Sequence, residues 1–500
     1  MGRPAGPRAA VVRRSVDAGV LLLAWVLVVM LVPANLVLKP LGAAGTPAQI
    51  LGLAAAAWWL AVQLDRSRTT LRPAQPVRTA MAVFVAGMLA SYVAAASRPI
   101  EALEISSADR GLLLVLSWWG LVMLAGDGFA HRGRLDRVLR ALVGAAGFAG
   151  ALGVLQFFTE KAYVDLISIP GLSANSTLNS VYGRNGFARA AGTSTHPIEF
   201  GVLMVMVLPI ALHYALSDTH RSRFVRWAPV VAIGAAVPIT MSRSALLGLA
   251  VVLAVLLPSW PVRRRWWTGA AVVAGFGAVY VAIPGMLGTM IRLFTGISQD
   301  DSALSRTDSY DLALQFIERA PVFGRGLSTF LPSYRILDNQ YLGLLIETGV
   351  VGTLAFLGLL VTALIVAYRM SVRLPEAVDR SLARGLTACI AAAALAFATF
   401  DAFGFPQVAG VLFFSIGCVT ALRRLTAPGR AGTLTTTAAI PVTAAATGTA
   451  PAAALSGERP RSSDADATEL PAPGRTSVTP APALSGHTPG NPHTREVEAR

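Results

Sequence analysis

Cysteine is almost missing from this chain: there are two in 500 residues, Cys389 and Cys418, and both lie inside apolar runs. No polar segment contains one, which excludes a disulfide framework and a thiolate metal site. Lysine is equally scarce, at Lys39 and Lys161 only, so the net charge of +15 is carried by arginine. Charged residues of both signs reach just 14% while apolar ones reach 54%, and soluble domains run at about a quarter charged. That balance excludes a large soluble core and makes the chain an integral membrane protein. No Gly-rich nucleotide loop and no helical repeat occurs anywhere.

What is present is a series of apolar segments near the length of roughly 20 residues that a helix needs to cross a bilayer. Twelve are expected, near 18–38, 43–62, 79–97, 111–125, 138–158, 198–216, 227–240, 244–258, 267–285, 340–367, 383–400 and 407–422. The pair 227–240 and 244–258 is short, and reads either as two spans or as a tilted or re-entrant hairpin. The first segment is long and lacks a small-residue cleavage site, so it is read as a retained helix.

Arginine placement orients the set. With the N-terminus inside, the cytoplasmic segments 1–17, 63–78, 126–140, 217–226, 260–266, 368–384 and 423–430 hold 25 arginines, whereas the short outward segments hold only Lys39, Arg98, Arg110 and Arg243. The positive-inside rule requires this bias. Both termini are therefore expected in the cytoplasm, and the basic charge reports topology instead of nucleic-acid binding. The organisation expected is a cytoplasmic segment at 1–17, a polytopic all-α membrane domain over 18–425, and a tail at 426–500. The tail is rich in Ala, Thr, Pro, Gly and Ser, a composition that cannot offset its ordering entropy, so it is expected to be disordered. Its Asp-Ala-Asp at 464–466 imitates a sugar-nucleotide metal motif by chance.

Two long outward segments, 159–197 and 286–339, interrupt a chain of otherwise short connections, and long loops in compact structures are commonly functional. Tyr310, Ala313, Leu314 and Ile317 in the second share one helix face. This predicts an amphipathic external helix stopped before Pro321, serving either as a cap on the headgroups or as a lid over a cleft.

Three polar islands fall on this outward side: R-A-A-G-T-S-T-H-P (189–197), S-R-S (242–244) and D-N-Q-Y-L (338–342). Arg243 sits at a hairpin tip, where it either snorkels to the interface or grips a phosphate with paired hydrogen bonds. Arg189 heads the first island, with Arg184 just before it, and Gly192 lets the backbone approach a ligand. His196 precedes a helix and is either a proton-transfer group or a polar cap. Asp338 and Asn339 stand where either catalysis or an N-cap role is possible. Glu347 is an ionisable group inside a span, hence a functional candidate or a paired structural one.

The order of these features resembles the O-antigen ligase/polymerase family over about residues 140–420. The elements are R-x-x-G-T-x-x-H-P (Arg189, Gly192, Thr193, His196, Pro197), S-R-S-A-L-L-G (242–248), then Arg306 and Tyr310 ahead of P-V-F-G-R-G-L-x-T-F (321–330, with Arg325). D-N-Q-Y-L-x-x-L-x-E-T-G-V-V-G (338–352, with Asn339, Tyr341 and Glu347) closes the series. The resemblance implies an enzyme that moves a glycan from a polyprenyl-diphosphate carrier to an acceptor at the outer face of the cytoplasmic membrane, with no nucleotide-sugar donor, cofactor or metal. It implies Arg189 and Arg243 as the diphosphate-binding pair. Asp338, His196 and Glu347 become the catalytic candidates, and Arg184, Arg306, Arg325, Asn339 and Tyr341 possible substrate contacts. Breaking a glycosyl diphosphate builds negative charge on phosphate, which preorganised arginines stabilise, and the acceptor hydroxyl needs a base. Ligases of the family carry histidine where this chain has Asp338, so a polymerase of surface or secreted polysaccharide is favoured over a ligase to a glycolipid or protein. The implied partners are the lipid-linked donor, a glycan acceptor, membrane lipid and other polysaccharide-assembly proteins. Two other classes stay open: a secondary transporter, against which the unequal halves and nearly uncharged middle spans argue, and a non-catalytic scaffold.

Overall fold

The computed structural model describes residues 16–64, 75–175, 181–184, 186–295, 301–427 and 439–440. The expected segment 1–17 and tail 426–500 therefore lie almost entirely outside the described residues. The described chain is a helical bundle. In order it runs α1 (Ala18–Leu31), β1 (Leu36–Leu38), α2 (Pro47–Leu64), α3 (Pro76–Ala96), α4 (Ala102–Gly128) and α5 (Arg132–Thr159). Three short strands follow, β2 (Leu172–Ala174), β3 (Val181–Arg184) and β4 (Phe187–Ala190), then α6 (Pro197–Ser217), α7 (Arg223–Ile239) and α8 (Arg243–Leu256). The last third holds α9 (Val262–Ala282), α10 (Met286–Thr295), α11 (Asp301–Arg319), α12 (Gln340–Arg373), α13 (Ala377–Ala396) and α14 (Pro406–Leu425).

All twelve apolar segments fall on helices. Seven helices, α2 to α6, α12 and α14, are long and apolar enough to cross a membrane; α9 with α10 makes an eighth if that pair, bent by 117°, is one span. The chain is thus a multi-pass membrane protein. Three features depart from the hydropathy reading. The first segment is helical only to Leu31, because Pro33 cannot continue it, and Leu36–Leu38 pairs antiparallel with Leu172–Ala174 instead. The loop 159–197 carries a hairpin, with Val181 opposite Ala190 and Tyr182 opposite Arg189, small β additions to an otherwise helical fold. The 340–367 segment is broken at Gly349 (φ 61°, ψ −166°). The helix around Tyr310 runs from Asp301 to Arg319 and ends ahead of Pro321 as expected.

The core centres on α14 and α6, each buried around most of its surface. Without a hydrophobic drive between helices in lipid, packing rests on close fit and small residues. Gly417 of α14 meets Ala125 and Val122 of α4, and Trp118 of α4 stacks on Phe413 at 4.7 Å and 10°. At the end remote from the islands, ion pairs hold helices together: Arg132 at the start of α5 to Asp379 in the first turn of α13 at 2.9 Å, and Arg140 of α5 to Asp218 at the end of α6 at 2.8 Å. α9 alone among the long helices buries no residue.

Candidate active site

The first island is built around one glycine. Gly192 (φ 59°) exchanges both backbone hydrogen bonds with the buried amide of Gln156 on α5: its N–H donates to Oε1 at 2.8 Å and its carbonyl accepts from Nε2 at 3.0 Å. A Cβ here would lie 2.5 Å from the Phe200 ring, so only glycine permits the fit. The turn aims Arg189, buried on β4, at the end of α7, where its Nε donates to the Thr240 carbonyl at 2.7 Å. Met241 then takes a left-handed conformation (φ 47°). Ser242 caps α8 by accepting from the Ala245 N–H at 3.3 Å, and half-buried Arg243 opens that helix. Two arginines 54 positions apart in sequence therefore arrive at one turn.

The rest of this island fastens helices. Thr193 donates to the Met30 carbonyl at 2.8 Å. Ser194 donates to Gln407, whose N–H in turn donates to Glu199 Oε1 at 2.9 Å. Thr195 reaches Glu199 Oε2 through both its N–H and its hydroxyl, each at 2.9 Å. Pro197 and Glu199 occupy the first and third helical positions of α6, where proline fits without loss and a carboxylate satisfies open N–H groups. His196 is the cap: its Nδ1 accepts from the Ile198 N–H at 3.1 Å. That bond requires an unprotonated Nδ1, so the ring carries its proton on Nε2. Burial, followed by the Arg189 charge, pushes its pKa down to about 4, which keeps it neutral.

The third island turns back on the same region. Asn339 caps α12, accepting from Tyr341 N–H at 3.0 Å and Leu342 N–H at 3.2 Å, and the Tyr341 hydroxyl donates to the Ala394 carbonyl at 2.6 Å. Both side chains, expected as substrate contacts, are thus engaged in architecture. Gln340 donates from its N–H to the Phe397 carbonyl at 2.8 Å and accepts from Phe403 N–H at 2.6 Å. These bonds bring in a fourth piece that the sequence reading passed over, the α13–α14 connection at 397–405. Its Thr399 hydroxyl donates to Ser244 Oγ at 2.6 Å, its Phe405 ring lies 6.1 Å from His196, and its Asp401 lies within electrostatic reach of both Asp338 and Glu347. Partial loss of hydration and the Asp338 carboxylate push Asp401 up to about 6, against a downward pull from the Gly404 N–H. An acid in a short connection between two apolar segments was the signal available for finding it.

Glu347 marks the break in α12. Interrupting a helix frees carbonyls on one side and N–H groups on the other, and the P-V-F-G-R-G turn supplies their partners. Arg325 N–H donates to the Ile346 carbonyl at 3.0 Å and Gly326 N–H to that of Glu347 at 2.9 Å, while Val350 and Val351 donate to the carbonyls of Pro321 and Val322 at 2.9 and 3.1 Å. The Glu347 carboxylate accepts from Phe330 N–H at 3.3 Å. Arg325 is given to Glu104, a buried acid on α4 that also takes Arg98 at 2.7 Å and the Tyr334 hydroxyl at 2.7 Å. Its guanidinium lies against both the Phe316 and Tyr334 rings, at 5.0 and 4.9 Å from their centroids. The loop that follows α11 is thereby pinned to the α3–α4 turn. Arg184 lies on β3 opposite Phe187 and Arg306 on α11; their side chains lie outside the described residues.

Two arginines, a capped neutral histidine and a group of carboxylates are therefore joined through one connection, an arrangement suited to holding an anionic leaving group beside a proton acceptor. No curated protein matches the chain. The family model for O-antigen ligase matches residues 228–357, a stretch from α7 into α12 that contains Arg243, Arg325, Asp338 and Glu347 but neither Arg189 nor Asp401. Over this region the chain is similar to the O-antigen ligase family, which supports the family resemblance read from the motifs.

Proposed function

We propose that this protein transfers a glycan from a polyprenyl-diphosphate carrier to a sugar hydroxyl at the outer face of the cytoplasmic membrane, polymerising lipid-linked repeat units of a surface or secreted polysaccharide. In this reading the chain crosses the membrane twelve times, α7 and α8 included, with both termini in the cytoplasm. The observation that carries it is the Arg189 bond to Thr240, three residues before Arg243, which joins two sequence-distant arginines at one outward turn.

Arg189 and Arg243 hold the diphosphate. As the acceptor oxygen bonds to the anomeric carbon, the bond from that carbon to the diphosphate oxygen breaks and its electron pair leaves with the phosphate. Arginines already in position favour that charge over the ground state. The acceptor proton goes to the Asp338–Asp401 pair, with Asp401 the better base because a pKa of about 6 lies near the working pH. His196 has its Nδ1 lone pair committed to Ile198, so it acts as a cap and an Nε2 donor. Glu347 holds the loop at the α12 break. Aspartate at 338, where the family's ligases have histidine, favours polymerisation over ligation.

The test is turnover of a lipid-diphosphate glycan by purified variants. Lysine keeps the charge but not the planar pair of donors. Arg189→Lys and Arg243→Lys should then fail nearly as badly as the alanine variants, by on the order of a hundred- to a thousand-fold. Wild-type rates in both lysine variants would remove the diphosphate assignment.

A further inference from the structure

One membrane-length element has no part in the site just described. Along α9 only Thr268, Val272, Phe276 and Val279 escape full exposure, and their spacings of four, four and three place them on a single face. The face continues into Ile283, just past the helix. Its upper end is anchored: Phe276, Val279 and Ile283 pack on a small apolar cluster that includes Ala190, Met241, Met286 and Met290. Ala190 follows Arg189, and Met241 lies two residues before Arg243. By the helical rise, Thr268 to Ile283 spans about 22 Å, so a narrow apolar track of that length ends at the two arginines.

At the same point the chain folds over. After Pro284 and Gly285 (φ 84°) it turns by 117° into α10, whose Met286 and Met290 join Met241 and Ala190 in one buried cluster. Methionine is unbranched and adapts its shape to what it touches. A helix that buries no residue also loses little when displaced.

An apolar track that ends beside Arg189 and the turn carrying Arg243 matches an amphiphile with one long hydrocarbon chain and an anionic head. We propose that the inward seam of α9 seats the isoprenoid chain of the lipid-linked donor, and that the α9–α10 elbow closes over the chain where it meets the diphosphate. The inference rests on the reading of Arg189 and Arg243 as the diphosphate site. The donor therefore enters sideways from the bilayer, past α9, and its first units lie under the methionines.

A photoreactive residue at Val272 on the seam, compared with one at the exposed neighbour Val273, tests this in nanodiscs containing phospholipid and a polyprenyl-diphosphate glycan. Donor adducts should form at 272 and be several-fold weaker at 273, with phospholipid adducts dominant at 273. Equal donor labelling at both positions, or phospholipid alone at 272, would overturn the seam. Val272→Asn gives a second reading. It should raise KM for a long-chain donor by at least about tenfold while leaving a short-prenyl donor unchanged; equal effects on both donors would count against it. Turnover by the wild-type protein separates the two proposals. Selective labelling without turnover defeats the transferase reading and leaves the seam, whereas turnover with unselective labelling does the reverse.

Discussion

Gly324→Ala is the sharpest probe of the broken helix that carries Glu347. Gly324 has φ 70°, and a Cβ there would sit 2.2 Å from the Glu347 carbonyl oxygen and 2.5 Å from the Thr348 nitrogen. Both are backbone atoms, so no side-chain rotation relieves the clash and the turn must withdraw. Withdrawal breaks the Arg325 N–H bond to Ile346 and the Gly326 N–H bond to Glu347. The Glu347 carbonyl keeps the Ser91 hydroxyl at 2.8 Å, but the Ile346 carbonyl is left unsatisfied and the Arg325 and Gly326 N–H groups lose their acceptors. That costs about 1–3 kcal/mol, and the left-handed backbone adds roughly 1–2 kcal/mol for alanine. The sum, about 2–5 kcal/mol, lies at the severe end for a single methyl group. Gly343→Ala is the control, since it lies in the same helix with its nearest neighbour at 4.0 Å, and should be neutral or slightly stabilising. Thermal unfolding of the detergent-purified variants, followed by tryptophan fluorescence, should place Gly324→Ala several degrees below wild type and Gly343→Ala at or above it. Coincident melting of the two alanine variants would refute the account of the break.

Three further outcomes are expected. Transfer should fall as pH drops through about 6, where Asp401 takes up a proton, and Asp401→Asn should remove that inflection with a loss of about 10²–10⁴-fold; an unchanged profile would exclude Asp401 as base. Because its folded pKa is raised, Asp401 should also lower folding stability as pH rises from its ordinary carboxylate range through 6. His196→Asn, which can still cap α6, should melt near wild type and keep most activity, whereas His196→Ala should lose about 1 kcal/mol; equal inactivation of both with normal melting would return His196 to direct chemistry. In a variant lacking Cys389 and Cys418, single cysteines placed in 159–197 and 286–339 should react with an impermeant thiol reagent in intact cells, and those in 63–78 or 368–384 should not; the opposite pattern would invert the topology.

The membrane class, the helix positions and the helix ending before Pro321 were legible in sequence because each depends on local composition or spacing. So were the motif residues of the family. Local reading also contained a signal that went unused: Asn185-Gly186 is a strong hairpin pair. Tertiary structure alone decided which distant pieces meet. Thr399 with Ser244, Gln407 with Glu199 and Arg325 with Glu104 are separated by 155, 208 and 221 positions, and no periodicity encodes such pairings. The same holds for roles. Arg189 and Arg325 look alike in sequence, yet one is aimed at the Arg243 turn and the other is spent on a buried acid, because a guanidinium's task is set by the partner that packing brings within reach.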